Sequence, residues 1–132
     1  MTSRLVESFG STDILVNNSG IGTAGSPDRV ADITEKDWDL VIGVNLKGVM
    51  LTSKYALKVM IKNGSGSIIN ISSIRGLLGN PALASYCASK GGVVLLTRQM
   101  AVEYATYGIR AVSYTHLRAH ETRHDLVCRL LL

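Results

Sequence analysis

In the stretch SYCASK, Ser85 to Lys90, a phenol and an ammonium stand four positions apart. On a helix, residues at that spacing project from one face about one turn from each other. A free tyrosine has a pKa near 10, so it rarely gives up its proton at neutral pH. An ammonium held beside the ring favours the phenolate, and each unit of depression supplies about tenfold more base. Tyr86 and Lys90 are thus a candidate proton-transfer pair. On an isolated helix face they would be an exposed surface pair, so the chemistry depends on what else is brought beside them.

The residues beside them must come from neighbouring elements. In DILVNNSG, Ile14 to Val16 form a short apolar run closed by Asn and Gly, the pattern of a strand buried on both faces. GSIINISS repeats it at Ile68 to Ile71. Between the two, Thr34 suits an N-cap, and Trp38, Val41, Ile42, Val49, Ala56 and Val59 recur at helical spacing, which predicts one long helix ending near KNGSG. YCASKGGVVLLTRQMAVEYATYG predicts a second long helix stopped by Gly108, and IRAV begins a third strand. Strand, helix, strand, helix, strand in this order means right-handed crossovers and an α/β fold with a parallel sheet. Such sheets bind ligands beyond the carboxyl ends of their strands. That places Asn17, Ser19 and Gly20 after the first strand, and Ser72 and Ser73 after the second, among the candidates. Asn17 fits a strand-end cap equally well, and Asn45, inside the first helix, would alone read as a surface residue.

NNSG, VNLKG, NISS and YCASK, in this order and spacing, resemble the short-chain dehydrogenase/reductase family over nearly all of residues 4–111. The resemblance implies a Rossmann-type parallel sheet with flanking helices, truncated here at both ends, and an NAD(P)-dependent oxidoreductase that interconverts alcohol and ketone by hydride transfer. In that family a tyrosine moves a proton to or from the substrate oxygen while a serine hydrogen-bonds that oxygen. A lysine holds the nicotinamide ribose and acts on the phenol, and an asparagine positions a water behind the lysine. Carried over by motif, these roles fall to Tyr86, Ser73, Lys90 and Asn45, with cofactor contacts at Asn17, Ser19, Gly20, Tyr86 and Lys90. Ser72 is the alternative hydroxyl, but the thirteen-residue spacing to Tyr86 favours Ser73. The family usually has Ala where Ser19 stands. Its TGxxxGxG fingerprint, and the residue that selects NAD or NADP, have no counterpart in the sequence. The implied partners are NAD or NADP, a small-molecule alcohol or carbonyl substrate and, because helices like these two commonly form the family's dimer interface, further copies of the intact protein in a homo-oligomer. The chain as given is expected to be inactive by itself. A catalytically inactive Rossmann-type binding domain is the alternative, against which Ser73, Tyr86 and Lys90 together argue.

Composition narrows the remaining classes. A chain of 132 residues that is 46% hydrophobic holds enough apolar material for one core. No apolar run approaches the roughly 18 residues of a membrane span, and MTSRLVESFG lacks the apolar centre of a signal peptide. A cytoplasmic location without membrane attachment is expected. The net charge of +4 is modest and the basic residues are scattered, which speaks against nucleic acid as a partner. Cys87 and Cys128 form no CxxC pattern, so neither a disulfide framework nor a zinc ribbon is indicated, and Cys87 reads as a small packing residue.

Two motifs point elsewhere. GIGTAG, Gly20 to Gly25, fits the dinucleotide pattern GxGxxG, but that pattern needs its last glycine at the opening of a helix, and here SPDRVADIT intervenes before Thr34. It reads as a loop. HETRH, His120 to His124, fits HExxH, and His116, His120, His124 and Cys128 recur every four residues, so a metal-binding helix is the rival from another class. Only eight residues follow for a further ligand, and no apolar stripe supports the helix. VSYTHLRAHET is similar to a translated sequencing adapter, as is LVCRLLL beyond it. Residues 1–111 are therefore expected to be a partial dehydrogenase domain, and 112–132 a non-native tail with no metal site; without the tail the net charge is +3.

Overall fold

The computed structural model describes residues 11–115. Strand β1 (Ile14–Asn17) leads through a long loop to helix α1 (Glu35–Ile42), a π-helical turn (Gly43–Lys47) and helix α2 (Gly48–Asn63). Strand β2 (Gly66–Ile71), a 3-10 turn (Ile74–Gly76), helix α3 (Ala84–Tyr104), a second 3-10 turn (Ala105–Tyr107) and strand β3 (Ile109–Tyr114) follow. The three strands form one parallel sheet in the order β1-β2-β3, with Leu15, Ile68 and Ala111 level across it, and Asn17 level with Asn70 and Ser113. This is the α/β architecture expected from the strand and helix alternation.

The helices begin and end where side chains and glycines allow. Thr34 Oγ1 accepts a hydrogen bond from the Asp37 amide at 3.1 Å and caps α1. α2 stops at Gly64, and the helical path that includes α3 stops at Gly108, both in left-handed conformation (φ 68° and 69°). Buried positions 49, 53, 56, 57 and 60 form one face of α2, and 93, 97 and 100 belong to the buried face of α3. The core lies where these faces meet the sheet: Ala56, Leu57 and Met60 pack with Met100, Ile68 and Ile109.

Two features depart from the sequence reading. Both α2 and α3 contribute to a core on the same side of the sheet, so Ile14 and Val16, expected to be buried on both faces, are 64% and 54% exposed. An apolar run shows that a strand can be covered twice, and only one cover lies among the described residues. The single helix expected from Thr34 is also divided, by the π turn. Buried positions 41, 45, 49 and 53 recur every four residues, which on a 3.6-residue helix drifts about 40° per step. One wider turn absorbs that drift and keeps the row facing inward.

β3 runs to Tyr114, three residues past the boundary expected at 111, with Val112, Ser113 and Tyr114 level with Ile69, Asn70 and Ile71. A parallel ladder is made by backbone groups, so these residues extend it whatever their side chains. No helix among the described residues is long and apolar enough to cross a membrane.

Candidate active site

The π turn presents Asn45, which is fully buried. Its Oδ1 accepts from the Ile21 amide at 2.8 Å, and its Nδ2 donates to the Ile21 carbonyl at 2.9 Å and to Ser89 Oγ at 3.0 Å. Ser89 Oγ in turn donates to the Tyr86 carbonyl at 2.8 Å. One amide therefore fastens the loop after β1 to the first turns of α3. A buried amide with this set of partners leaves no polar atom unmatched, which is the condition for tolerating it in a core.

Lys90 lies one turn beyond Tyr86 and is 4% exposed. Its ammonium donates to the carbonyl of Ile71, the last residue of β2, at 2.8 Å, and lies 5.8 Å from the centroid of the Tyr86 ring. Burial pushes the Lys90 ammonium below its ordinary value near 10.5, because the charged form loses water. Gly20 stands against it: a Cβ there would approach Lys90 Nζ to 3.2 Å and Asn45 Oδ1 to 3.5 Å. Bare backbone thus flanks the ammonium on the side of β1.

The two adjacent serines are put to different uses. Ser72 is buried, and its hydroxyl donates to the Lys90 carbonyl at 2.9 Å, tying β2 to the middle of α3. Ser73 is half-buried and its Oγ accepts from the Arg75 amide at 3.2 Å, capping the 3-10 turn. A hydroxyl that accepts through a lone pair keeps its proton to donate, so Ser73 is the one chemically free to hydrogen-bond an oxygen.

The 3-10 turn passes close to α3. A Cβ on Gly76 would stand 2.7 Å from the Lys90 carbonyl oxygen and 2.8 Å from its carbon. Neither atom can swing aside, so Gly76→Ala is expected to push α3 outward, break the Ser72 to Lys90 bond and destabilise the fold by about 1–3 kcal/mol. Urea unfolding of the two proteins measures this. Equal midpoints would show that α3 is free to shift.

The structure therefore brings Gly20, Asn45, Tyr86 and Lys90 to one place, with Ser73 beyond the end of β2. It turns Asn17 elsewhere: the Asn17 amide donates to Asn70 Oδ1 at 2.8 Å and to Ser53 Oγ at 3.3 Å, while its Oδ1 accepts from Thr52 Oγ1 at 2.6 Å. Ser19 is exposed just past the strand. GIGTAG is a loop, and Gly25 (φ 97°) lies well before α1. Ser89 and Gly76 were missed by the sequence reading. Ser89 precedes Lys90 and is three residues after Tyr86, a spacing at which a serine hydroxyl returns to its own helix backbone; Gly76 carries no signal in the sequence. Among the described residues no group of three His, Cys, Asp or Glu is placed to hold a metal. HETRH and Cys128 lie outside the described residues.

The family model described as short chain dehydrogenase matches residues 1–117. An uncharacterized oxidoreductase of Thermotoga maritima is 46% identical over 110 residues, which cover 83% of this chain and 43% of that protein. A 3-oxoacyl-(acyl-carrier-protein) reductase of the same organism is 43% identical over 110 residues, covering 83% of this chain and 44% of that one. Among solved structures, a gluconate 5-dehydrogenase of Burkholderia cenocepacia in complex with NADP and tartrate superposes with a TM-score of 0.80 at 37% identity, over 85% of this chain and 43% of the other. The chain spans about two fifths of the length of the curated relatives it matches.

Proposed function

Because this chain belongs to the short chain dehydrogenase family, we propose that the whole protein is an NAD(P)-dependent oxidoreductase interconverting a small alcohol and its carbonyl compound. The observation that carries this reading is the Lys90 ammonium, buried, bonded to the end of β2 and 5.8 Å from the centre of the Tyr86 ring. That pair sets a fixed cation beside the ring of the residue proposed to move the proton.

NAD or NADP would be held by Lys90, Tyr86 and the main chain near Asn17, Ser19 and Gly20, and when bound supplies the site that accepts or returns hydride. The bare backbone at Gly20 fits such a group, since any side chain there would fill the space beside Lys90 and Asn45. Asn17 enters through its main chain, its side chain being engaged inside the sheet. As phenolate the Tyr86 oxygen takes the proton from the alcohol oxygen in one direction, and as phenol it returns that proton to the carbonyl oxygen in the other. Ser73 Oγ donates to that oxygen and steadies the charge that develops on it. Asn45 keeps the Gly20–Ile21 loop and the first turns of α3 at a fixed separation, and from there would position a water behind Lys90. A cytoplasmic homo-oligomer without nucleic acid completes the proposal.

The test is spectrophotometric: the whole protein, given each nicotinamide nucleotide and a panel of small alcohols and ketones, should show substrate-dependent change in reduced-nicotinamide absorbance. Ser73→Ala should lower kcat by about 10²-fold, the scale of one lost oxyanion donor. Nucleotide binding without turnover on any substrate would instead identify a binding domain.

A further inference from the structure

We propose that Asp28 is a positioning residue for Tyr86: from the loop after β1 it caps the amino end of α3 and fixes the turn that carries the phenol. The inference rests on the reading of Tyr86 as the proton-transfer group.

A helix leaves its first four amides without partners inside the helix, and a Ser, Thr, Asp or Asn immediately before it normally supplies one. α3 has no such residue. It starts at Ala84, and Leu83 in front of it makes no side-chain cap; its first turn also contains no acidic residue. The missing cap comes from 57 positions away. Asp28 Oδ1 accepts from the Ser85 amide at 2.8 Å, and the Asp28 carbonyl accepts from the Ala84 amide at 2.9 Å. One residue thus satisfies two of the orphan donors and sets a carboxylate at the positive end of the helix. It does so from inside the protein, since Asp28 is 2% exposed and Ser85 wholly buried.

The next residue is Tyr86. The turn that bears it is fastened at its start by Asp28 and, through Ser89 and the Tyr86 carbonyl, by Asn45. The same two residues hold the loop between them, Ile21 at one end and Asp28 at the other. Lys90, a turn deeper, has its own anchors in Ile71 and Ser72. Loss of the Asp28 cap therefore loosens the phenol and leaves the ammonium in place. Asp28 Oδ2 and Ser85 Oγ are buried with no hydrogen-bond partner among the described residues, so the two bonds to Ala84 and Ser85 are made at the cost of polar atoms that gain nothing from burial.

This separation gives the test, made in the whole protein. Asp28→Ala should lower kcat by about ten- to a hundredfold, the cost of a small misplacement of a reacting group, while nucleotide affinity stays within about twofold. Asp28→Asn keeps the acceptor toward Ser85 and should hold kcat within about threefold of the parent, as Asn caps a helix about as well as Asp. An unchanged kcat in Asp28→Ala, or a matched loss of turnover and nucleotide affinity that Asn does not rescue, overturns the proposal. If Asp28→Ala does not fold, amide hydrogen exchange in the parent decides. Slow exchange at Ala84 and Ser85, with Asp28→Asn near parental kcat, supports the cap, and exchange as fast as at a frayed helix end refutes it. Exchange reads the cap independently of chemistry, so a harmless Tyr86→Phe would remove the proposed function and leave the exchange result standing.

Discussion

Replacing Tyr86 by Phe in the whole protein is expected to lower kcat by about 10²- to 10⁴-fold, the range supplied by a positioned acid or base. The substitution removes one oxygen. The ring that faces Lys90 remains, and the contact that ties this turn to Asn45 goes through the Tyr86 carbonyl and Ser89, so no side-chain atom of the phenol is needed to keep α3 in place. Nucleotide affinity should therefore be largely retained. Steady-state kinetics beside a nucleotide titration separate the two quantities, and turnover within about tenfold of the parent would show that the proton moves by another route.

Lys90→Met should act on both quantities at once. The ammonium is the only charge placed near the Tyr86 ring from within α3, and it is the group proposed to hold the nicotinamide ribose. Without it, nucleotide affinity falls and the limb of the pH–activity profile that reports the phenol moves toward alkaline pH. An unmoved limb would show that Lys90 does not act on Tyr86. Stability carries an opposite signature. Burial lowers the Lys90 value in the folded protein, so between that lowered value and about 10.5 the unfolded chain binds more protons than the folded one. The parent should thus gain stability relative to Lys90→Met as pH rises through that window, and below it the difference should be flat. Melting temperatures of the pair across the alkaline range measure this.

The sequence displayed the site better than the scaffold behind it. Tyr86 and Lys90 were legible in their own spacing and Gly20 in its place after a strand, whereas Asn45, which alone reads as a surface residue, entered only through the family resemblance; the fold places the four together. The strands were legible as apolar runs and the helix ends as Thr34, Gly64 and Gly108. The π turn was not anticipated, although its trace was present: a row of buried positions at strict four-residue spacing is out of phase with an ordinary helix. The coverage of β1 misled because an apolar residue reports that it can be buried and not which element buries it. Asp28 left no local signal at all, since a cap supplied from another loop is invisible to any rule about the residues next to the helix.

The inward row of amides across the sheet has one more consequence. Thr52 donates to Asn17, Asn17 to Asn70, and Asn70 to Thr97 at 2.8 Å, so a line of matched donors and acceptors crosses the sheet from α2 to α3. Apolar neighbours such as Leu15, Ile68 and Ala111 would tolerate several strand alignments, but an amide is satisfied only opposite its partner. A slip of β1 by one residue would turn Asn17 to the other face and leave Asn70 unmatched in the core. It would also move the end of the strand by about 3.3 Å. Gly20 and its neighbours would then no longer stand beside Lys90. The row thus works as an alignment key: the strand register that avoids a buried, unmatched amide is also the one that keeps Gly20 level with Lys90 across the candidate site.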